Sequence, residues 1–312
     1  MIGDRDWPIG TRWLKVSLRA ASAATITVIL GLAGAAQATD ATSDPARAGG
    51  SFVPGCVPAL TAGSHTVTLA VDGTPREVIV HVPDVDLGVR LPAVVAFHGY
   101  SSFATDLEAT SDLSARADDG GFVVAYPQAL GDPTEWHFAG NRGYDRRDLN
   151  MTQSLIQMLV EQACVDPTRV VLAGHSMGGG MASEAACRLA DQVAGVVLVA
   201  ALWFELPCQP VRPVPVTATH ALDDPVLPYA GGAIGGVGPG VPEQLPVESA
   251  IAAWAVHDGC GATPEVSTAD DHGEVLTWPD CARPVVLYRL PSGGHDWPAI
   301  ASDVITGMVT SR

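Results

Sequence analysis

Lysine is almost missing. Lys15 is the only one in 312 residues, and 17 basic side chains stand against 34 acidic ones, a net charge of −17. A surface this acidic repels nucleic acid and anionic membranes, and the charge reads as solvation. No Cys-x-x-Cys and no histidine group has metal-ligand spacing, which excludes a zinc site. Internal repeats are absent, so a solenoid is excluded. The apolar stretch Ala23–Ala36 is short for a membrane span.

What is present points to an exported globular chain. Hydrophobic residues make up 47% of the sequence, enough to bury a sizeable core. Arg5, Arg12, Lys15 and Arg19 precede an uncharged run that ends in Ala36-Gln37-Ala38, a small-x-small cleavage signal. Residues 1–38 are therefore expected to be a signal peptide, residues 39–54 a disordered leader, and residues 55–312 a single domain. The six cysteines, Cys56, Cys164, Cys187, Cys208, Cys260 and Cys281, all lie beyond the signal. An even number in an oxidising compartment predicts three disulfides. Cys260 and Cys281 flank a polar, turn-rich insert that a link would staple, and Cys164–Cys187 across the sheet edge would leave Cys56–Cys208.

The chain is organised around Val170-Val171-Leu172-Ala173-Gly174-His175-Ser176-Met177-Gly178-Gly179-Gly180. Four apolar residues read as a buried strand, Gly174-x-Ser176-x-Gly178 as a sharp turn, and Met181–Leu189 as a helix. Such a turn lifts the serine hydroxyl clear of a sheet. Before it, His65–Val82 reads as a β-hairpin turning at Asp72-Gly73. Pro92–Phe97 and Phe122–Tyr126 read as buried strands, with a helix from Ala104 to Asp118 between them. A polar loop, Gly131–Arg147, leads to a helix from Asp148. Beyond the turn, strands are expected at Val193–Val199, Pro215–Thr219 and Val285–Leu290, and helices at Val247–Val256 and from Ile300. Alternating strands and helices predict an α/β fold with a mainly parallel sheet and helices on both faces.

A nucleophilic serine needs a base, and the base needs an orienting carboxylate, in loops beyond later strands. His295, in Gly293-Gly294-His295, follows the last predicted strand, and Asp223 and Asp224 follow an earlier one. The spacing leaves the two aspartates open. His220 lies at the acid loop and is assigned a structural role; His175, beside the serine, is assigned packing or hydrogen bonding. The backbone N–H groups of Met177 and Tyr100 are the expected oxyanion donors. Tyr126, Trp136 and Trp297 are candidates for lining a substrate pocket.

Phe97-His98-Gly99, Ala125-Tyr126-Pro127-Gln128, Gly174-x-Ser176-x-Gly178-Gly179, His220-x-x-x-Asp224-Pro225-x-x-Pro228-Tyr229 and Gly293-Gly294-His295-x-Trp297-Pro298 occur in that order. Together they resemble the secreted esterases grouped as polyhydroxybutyrate depolymerase-like and feruloyl or acetylxylan esterases. The resemblance implies an α/β-hydrolase fold and no cofactor, and selects Asp224 over Asp223. It implies a secreted serine carboxylester hydrolase, acting through Ser176, His295 and Asp224. Its partner is an ester substrate; a monomer is expected, with no nucleic acid and no membrane once the signal is removed. Feruloyl or acetyl esters of plant polysaccharide are preferred, because no threonine-rich linker or appended binding domain follows the last helix. Tyr100 and Met177 keep a short-chain polyhydroxyalkanoate or other polyester as the alternative. A non-catalytic secreted binding protein of the same fold is the contrasting class.

Overall fold

The computed structural model describes residues 56, 58–85, 89–141, 144–236, 241–269 and 273–311. The expected signal peptide and leader lie outside the described residues. In chain order come β1 (Gly63–Val71), β2 (Thr74–Val82), β3 (Leu91–Phe97), α1 (Ala104–Ser111), α2 (Leu113–Gly120) and β4 (Val123–Pro127). A small separate hairpin follows, β5 (Leu130–Gly131) with β6 (Thr134–Glu135), and then α3 (Arg147–Gln162), β7 (Val165–His175), α4 (Met177–Arg188) and β8 (Gly195–Val199). The remainder is β9 (Val216–Ala221), α5 (Val247–His257), β10 (Glu265–Thr268), β11 (Glu274–Thr277), β12 (Val285–Leu290) and α6 (Ala299–Thr310).

Among the described residues these strands form a ten-stranded sheet in the order β1-β2-β4-β3-β7-β8-β9-β12-β11-β10. The six strands from β4 to β12 in that order run parallel, and antiparallel pairs extend both ends. The β1–β2 hairpin turns through Asp72 and Gly73, both at positive φ, with Val71 paired to Thr74. A two-residue Asp-Gly loop supplies the backbone twist that the flanking strands need.

Strand alternation divides the core between two faces. Val94, Ala96, Val124, Val171, Ala173, Val197 and Val199 pack with α1, α2 and α6 through Leu107, Leu113 and Ile305. Ala93, Val95, Phe97, Leu172 and Leu198 pack with α3, α4 and α5 through Leu155, Met181 and Trp254. Successive side chains of a strand point to opposite faces, so runs such as Ala93–Phe97 must be apolar throughout. Each fully buried Val or Leu contributes about 1.5–3 kcal/mol, and this double layer fixes the strands whose ends carry the site.

Four expectations need correction. The helix expected from Ala104 to Asp118 is two helices, because Asp112 takes a left-handed conformation (φ 58°) that aspartate tolerates better than most residues. The insert between Cys260 and Cys281 is a β-hairpin, β10–β11, which joins the sheet beside β12. Of the expected disulfides, Cys260–Cys281 is present, but Cys164–Cys187 and Cys56–Cys208 are replaced by Cys56–Cys164 and Cys187–Cys208. Cys164 precedes β7, which lies between β3 and β8, so no sheet edge exists there for Cys187 to cross. Instead the Ala59 amide binds the Gln162 carbonyl, at 2.8 Å, which brings the chain after Cys56 alongside the approach to β7.

One buried acid is a liability of this core. Asp258, which closes α5, is 1% exposed; one carboxyl oxygen accepts the Val214 amide at 3.4 Å, and among the described residues the other has no partner. Burial pushes its pKa up to about 6, against the amide bond and Arg283, which lower it. The folded state therefore holds the proton more tightly than the unfolded chain. The resulting stabilisation is complete below the unfolded pKa and is lost as pH rises through the folded one. Asp258→Asn is expected to stabilise the protein by on the order of 2 kcal/mol at about pH 7, and to leave the melting temperature unchanged at about pH 3.5. Thermal melts of both proteins at the two pH values check this, and an equal shift at both would contradict it.

Candidate functional site

The parallel strands point their carboxyl ends to one edge of the sheet, and loops beyond such ends are where α/β proteins gather reactive groups. After β3 comes His98-Gly99-Tyr100, after β7 Ser176, after β9 Asp223-Asp224, and after β12 His295. Side chains far apart in sequence thus meet in space. His295 Nε2 lies 2.9 Å from Ser176 Oγ, and His295 Nδ1 lies 2.7 Å from Asp224 Oδ2.

Ser176 has φ 56° and ψ −122°, and α4 begins at the next residue. A Cβ on Gly174 would overlap the Gly178 backbone, and one on Gly178 would overlap the carbonyls of Phe97 and His98. The turn can close only because both positions are glycine. The Ser176 amide donates to Val199 O at 2.9 Å, which ties the turn to the end of β8.

Asp224 is buried, and its oxygens are crowded with donors. Oδ1 accepts the amides of Val226 and Leu227, both at 2.8 Å, while Oδ2 accepts from His295 and lies 3.3 Å from His220 Nε2. Burial by itself raises the carboxyl pKa. Hydrogen bonds from His220, His295 and the Leu227 amide outweigh burial and hold the group well below the usual carboxylate range. A permanent negative charge behind the imidazole keeps a proton on Nδ1, so the lone pair of Nε2 faces the serine.

The neighbouring aspartate has a different place. Asp223 Oδ1 accepts the Gly294 amide at 2.9 Å and so fastens the acid loop to the histidine loop. His220 is buried and donates Nε2–H to Leu227 O at 2.8 Å, consistent with its assigned structural role. His175 donates Nε2–H to His295 O at 2.9 Å; burial first, and the His295 charge second, push its pKa down to about 4, so it is neutral at ordinary pH.

The Met177 amide opens α4, where no intrahelical acceptor exists, and the Tyr100 amide lies in the loop after β3. Among the described residues neither amide has a hydrogen-bond acceptor. A Cβ built on Gly99 would sit 3.4 Å from Ser176 Cβ, so this loop passes close beside the serine.

A cavity of about 640 Å³ opens over Ser176 and His295. Leu202, Phe204, Ile234 and Val241 give it apolar walls, and Tyr100 and Glu135 add polar groups. The three expected pocket aromatics do not line it. Tyr126 is buried on the α1–α2 face with its hydroxyl 2.9 Å from Ser114 Oγ. Trp136 is fully buried beneath the His98 loop. Trp297 packs edge-on to His175 and donates Nε1–H to Ser302 at 2.8 Å. The actual walls come from segments after β8 and β9. Their signal was positional, since they leave the carboxyl edge of the sheet, and their side chains carry no pattern of their own.

The model of the Alpha/beta hydrolase family matches residues 94–310. The chain is 30% identical over 232 residues to feruloyl esterase B of Piromyces equi, which covers 70% of this chain and 42% of that protein. It is 26% identical over 157 residues to a bifunctional acetylxylan esterase/xylanase of Neocallimastix patriciarum, covering 50% of this chain and 22% of that one. The chain therefore spans less than half the length of these curated relatives. Among solved structures, the acetyl xylan esterase from Aspergillus awamori superposes with a TM-score of 0.60 at 14% identity, over 80% of this chain and all of that one. The matched span includes β4, β7 and the loops bearing Ser176, Asp224 and His295, and the chain belongs to the alpha/beta hydrolase family.

Proposed function

We propose that this protein is an exported serine carboxylester hydrolase, in which Ser176 is the nucleophile, His295 the general base and Asp224 the orienting carboxylate. The observation that carries the reading is the continuous line from Asp224 through His295 to Ser176, with contacts of 2.7 and 2.9 Å. His295 Nε2 takes the Ser176 proton as Oγ attacks the ester carbonyl. The carbonyl π electrons move onto oxygen, and the Met177 and Tyr100 amides are the donors that face it. Collapse expels the alcohol, which leaves with the proton from His295. Water, activated by the same imidazole, then hydrolyses the acyl-enzyme and restores Ser176.

Export is supported by three disulfides, which persist in oxidising compartments. Among the described residues no helix is long and apolar enough to cross a membrane. For the substrate, feruloyl or acetyl esters of plant polysaccharide are favoured by the names of the Piromyces and Neocallimastix relatives. An apolar-walled cavity of this size suits an acyl group as large as a phenolic acid.

Two measurements test these points. Asp224→Asn is expected to lower kcat on a soluble aryl ester by about 10⁴-fold, since the wrong imidazole tautomer then faces the serine. Asp223→Asn keeps an oxygen for the Gly294 amide and is expected to stay within about threefold of the parent. Equal losses in the two would contradict the assignment. Initial rates on methyl ferulate, acetylated xylan and a polyhydroxybutyrate film, compared side by side, are expected to favour the first two. Dominant release from the film would replace the polysaccharide reading with a polyester one.

A further inference from the structure

Trp136 is fully buried, lies outside the cavity and yet touches both segments that carry the free amides. Its indole Nε1–H donates to His98 O at 2.7 Å, and its ring packs edge-on to Phe97 with centroids 5.3 Å apart. Its own backbone amide approaches the Met177 sulfur at 3.4 Å. Two residues earlier, Thr134 completes a clamp on the same loop. Thr134 O accepts the Ser101 amide at 2.9 Å, and Thr134 Oγ1 donates to Ser102 O at 2.7 Å. The Tyr100 amide therefore lies between a fixed residue 98 and fixed residues 101 and 102.

The clamp is itself anchored at depth. The His137 amide donates to Asp148 Oδ2 at 2.7 Å, and Asp148 Oδ1 pairs with Arg76 at 2.6 Å, both side chains being almost wholly buried. A buried pair of this kind is costly to break, because either partner alone is an uncompensated charge. The segment 134–137 is thus tied to the interior of the fold through Asp148.

We infer that Trp136 is a positioning residue for the oxyanion hole, holding the Tyr100 amide in register with the Met177 amide through its bond to the His98 carbonyl. This rests on the ester-hydrolase reading of the Ser176 site. Donors aimed at a developing oxyanion act only when they are fixed in place beforehand, and a small displacement weakens the transition state more than the ground state.

The test is Trp136→Phe, which keeps an aromatic ring and removes the indole N–H, assayed on p-nitrophenyl acetate. Outright loss of an oxyanion donor costs 10²–10³-fold, so a displaced one is expected to lower kcat by about 10- to 100-fold with KM within about twofold. Affinity for an arylboronic acid, which forms a tetrahedral adduct on the serine, is expected to weaken in parallel. Trp254→Phe is the control. That tryptophan is equally buried, in α5, and its indole N–H has no partner among the described residues, so kcat should not change. Unchanged kcat in Trp136→Phe, or equal loss in both variants, overturns the inference. Should Trp136→Phe not fold, Thr134→Val, which removes one clamp bond, is expected to give a smaller drop of the same kind, and unchanged kcat there overturns it. A parent protein inert toward the ester would count against the hydrolase reading and not against the linkage.

Discussion

The backbone of Ser176 carries the demand that the rest of the structure meets. With φ 56° and ψ −122° it occupies a region that side-chain-bearing residues rarely enter, at a cost of about 1–3 kcal/mol. Its amide is taken by Val199 O, and its carbonyl accepts the amides of Gly179, Gly180 and Leu202. Those bonds connect the turn to β8 and to the chain beyond it. The close approach of Gly174 to Gly178, and of Gly178 to the end of β3, leaves the turn no room to relax. Strain is held locally by packing that is global, and the result is a hydroxyl presented at the carboxyl edge of a rigid sheet.

Around that hydroxyl, three loops are fastened to one another. Asp223 holds Gly294, His175 holds the His295 carbonyl, and two amides with two imidazoles converge on Asp224. The imidazole of His295 is therefore fixed from behind by a carboxylate that stays ionised and from below by its own backbone. An arrangement fixed in this way needs little reorganisation when charge moves, which is where electrostatic catalysis gains most of its advantage. The apolar walls from Phe204 and Ile234 add a low-dielectric boundary over the same atoms.

Much of this was legible in the chain, and the physical reason is locality. The turn at Ser176 is written in adjacent glycines, the hairpin in strict alternation about Asp72-Gly73, and the buried strands in short apolar runs. The loops after β3, β9 and β12 could be named because residues with reactive side chains follow those runs directly. Disulfide pairing was not legible beyond Cys260–Cys281, since Cys56–Cys164 and Cys187–Cys208 depend on where β7 sits among its neighbours. The pocket walls were missed for a related reason. Aromatic character suggested Tyr126, Trp136 and Trp297, but large rings are first of all good core material, and two of the three are fully buried. The β10–β11 hairpin was read as turns because its strands are only four residues long, β10 is exposed throughout, and Leu276 of β11 is its one fully buried residue.

The central claim is that Ser176 is an activated nucleophile. Incubation of the folded protein with a fluorophosphonate, followed by peptide mass mapping, tests it most directly, because only a serine whose proton can be removed reacts readily. The account predicts one adduct per chain, on the peptide containing Ser176, and none when His295 is replaced by alanine. A folded protein that stays unlabelled, or one labelled elsewhere, would contradict it and favour a binding protein built on the same fold.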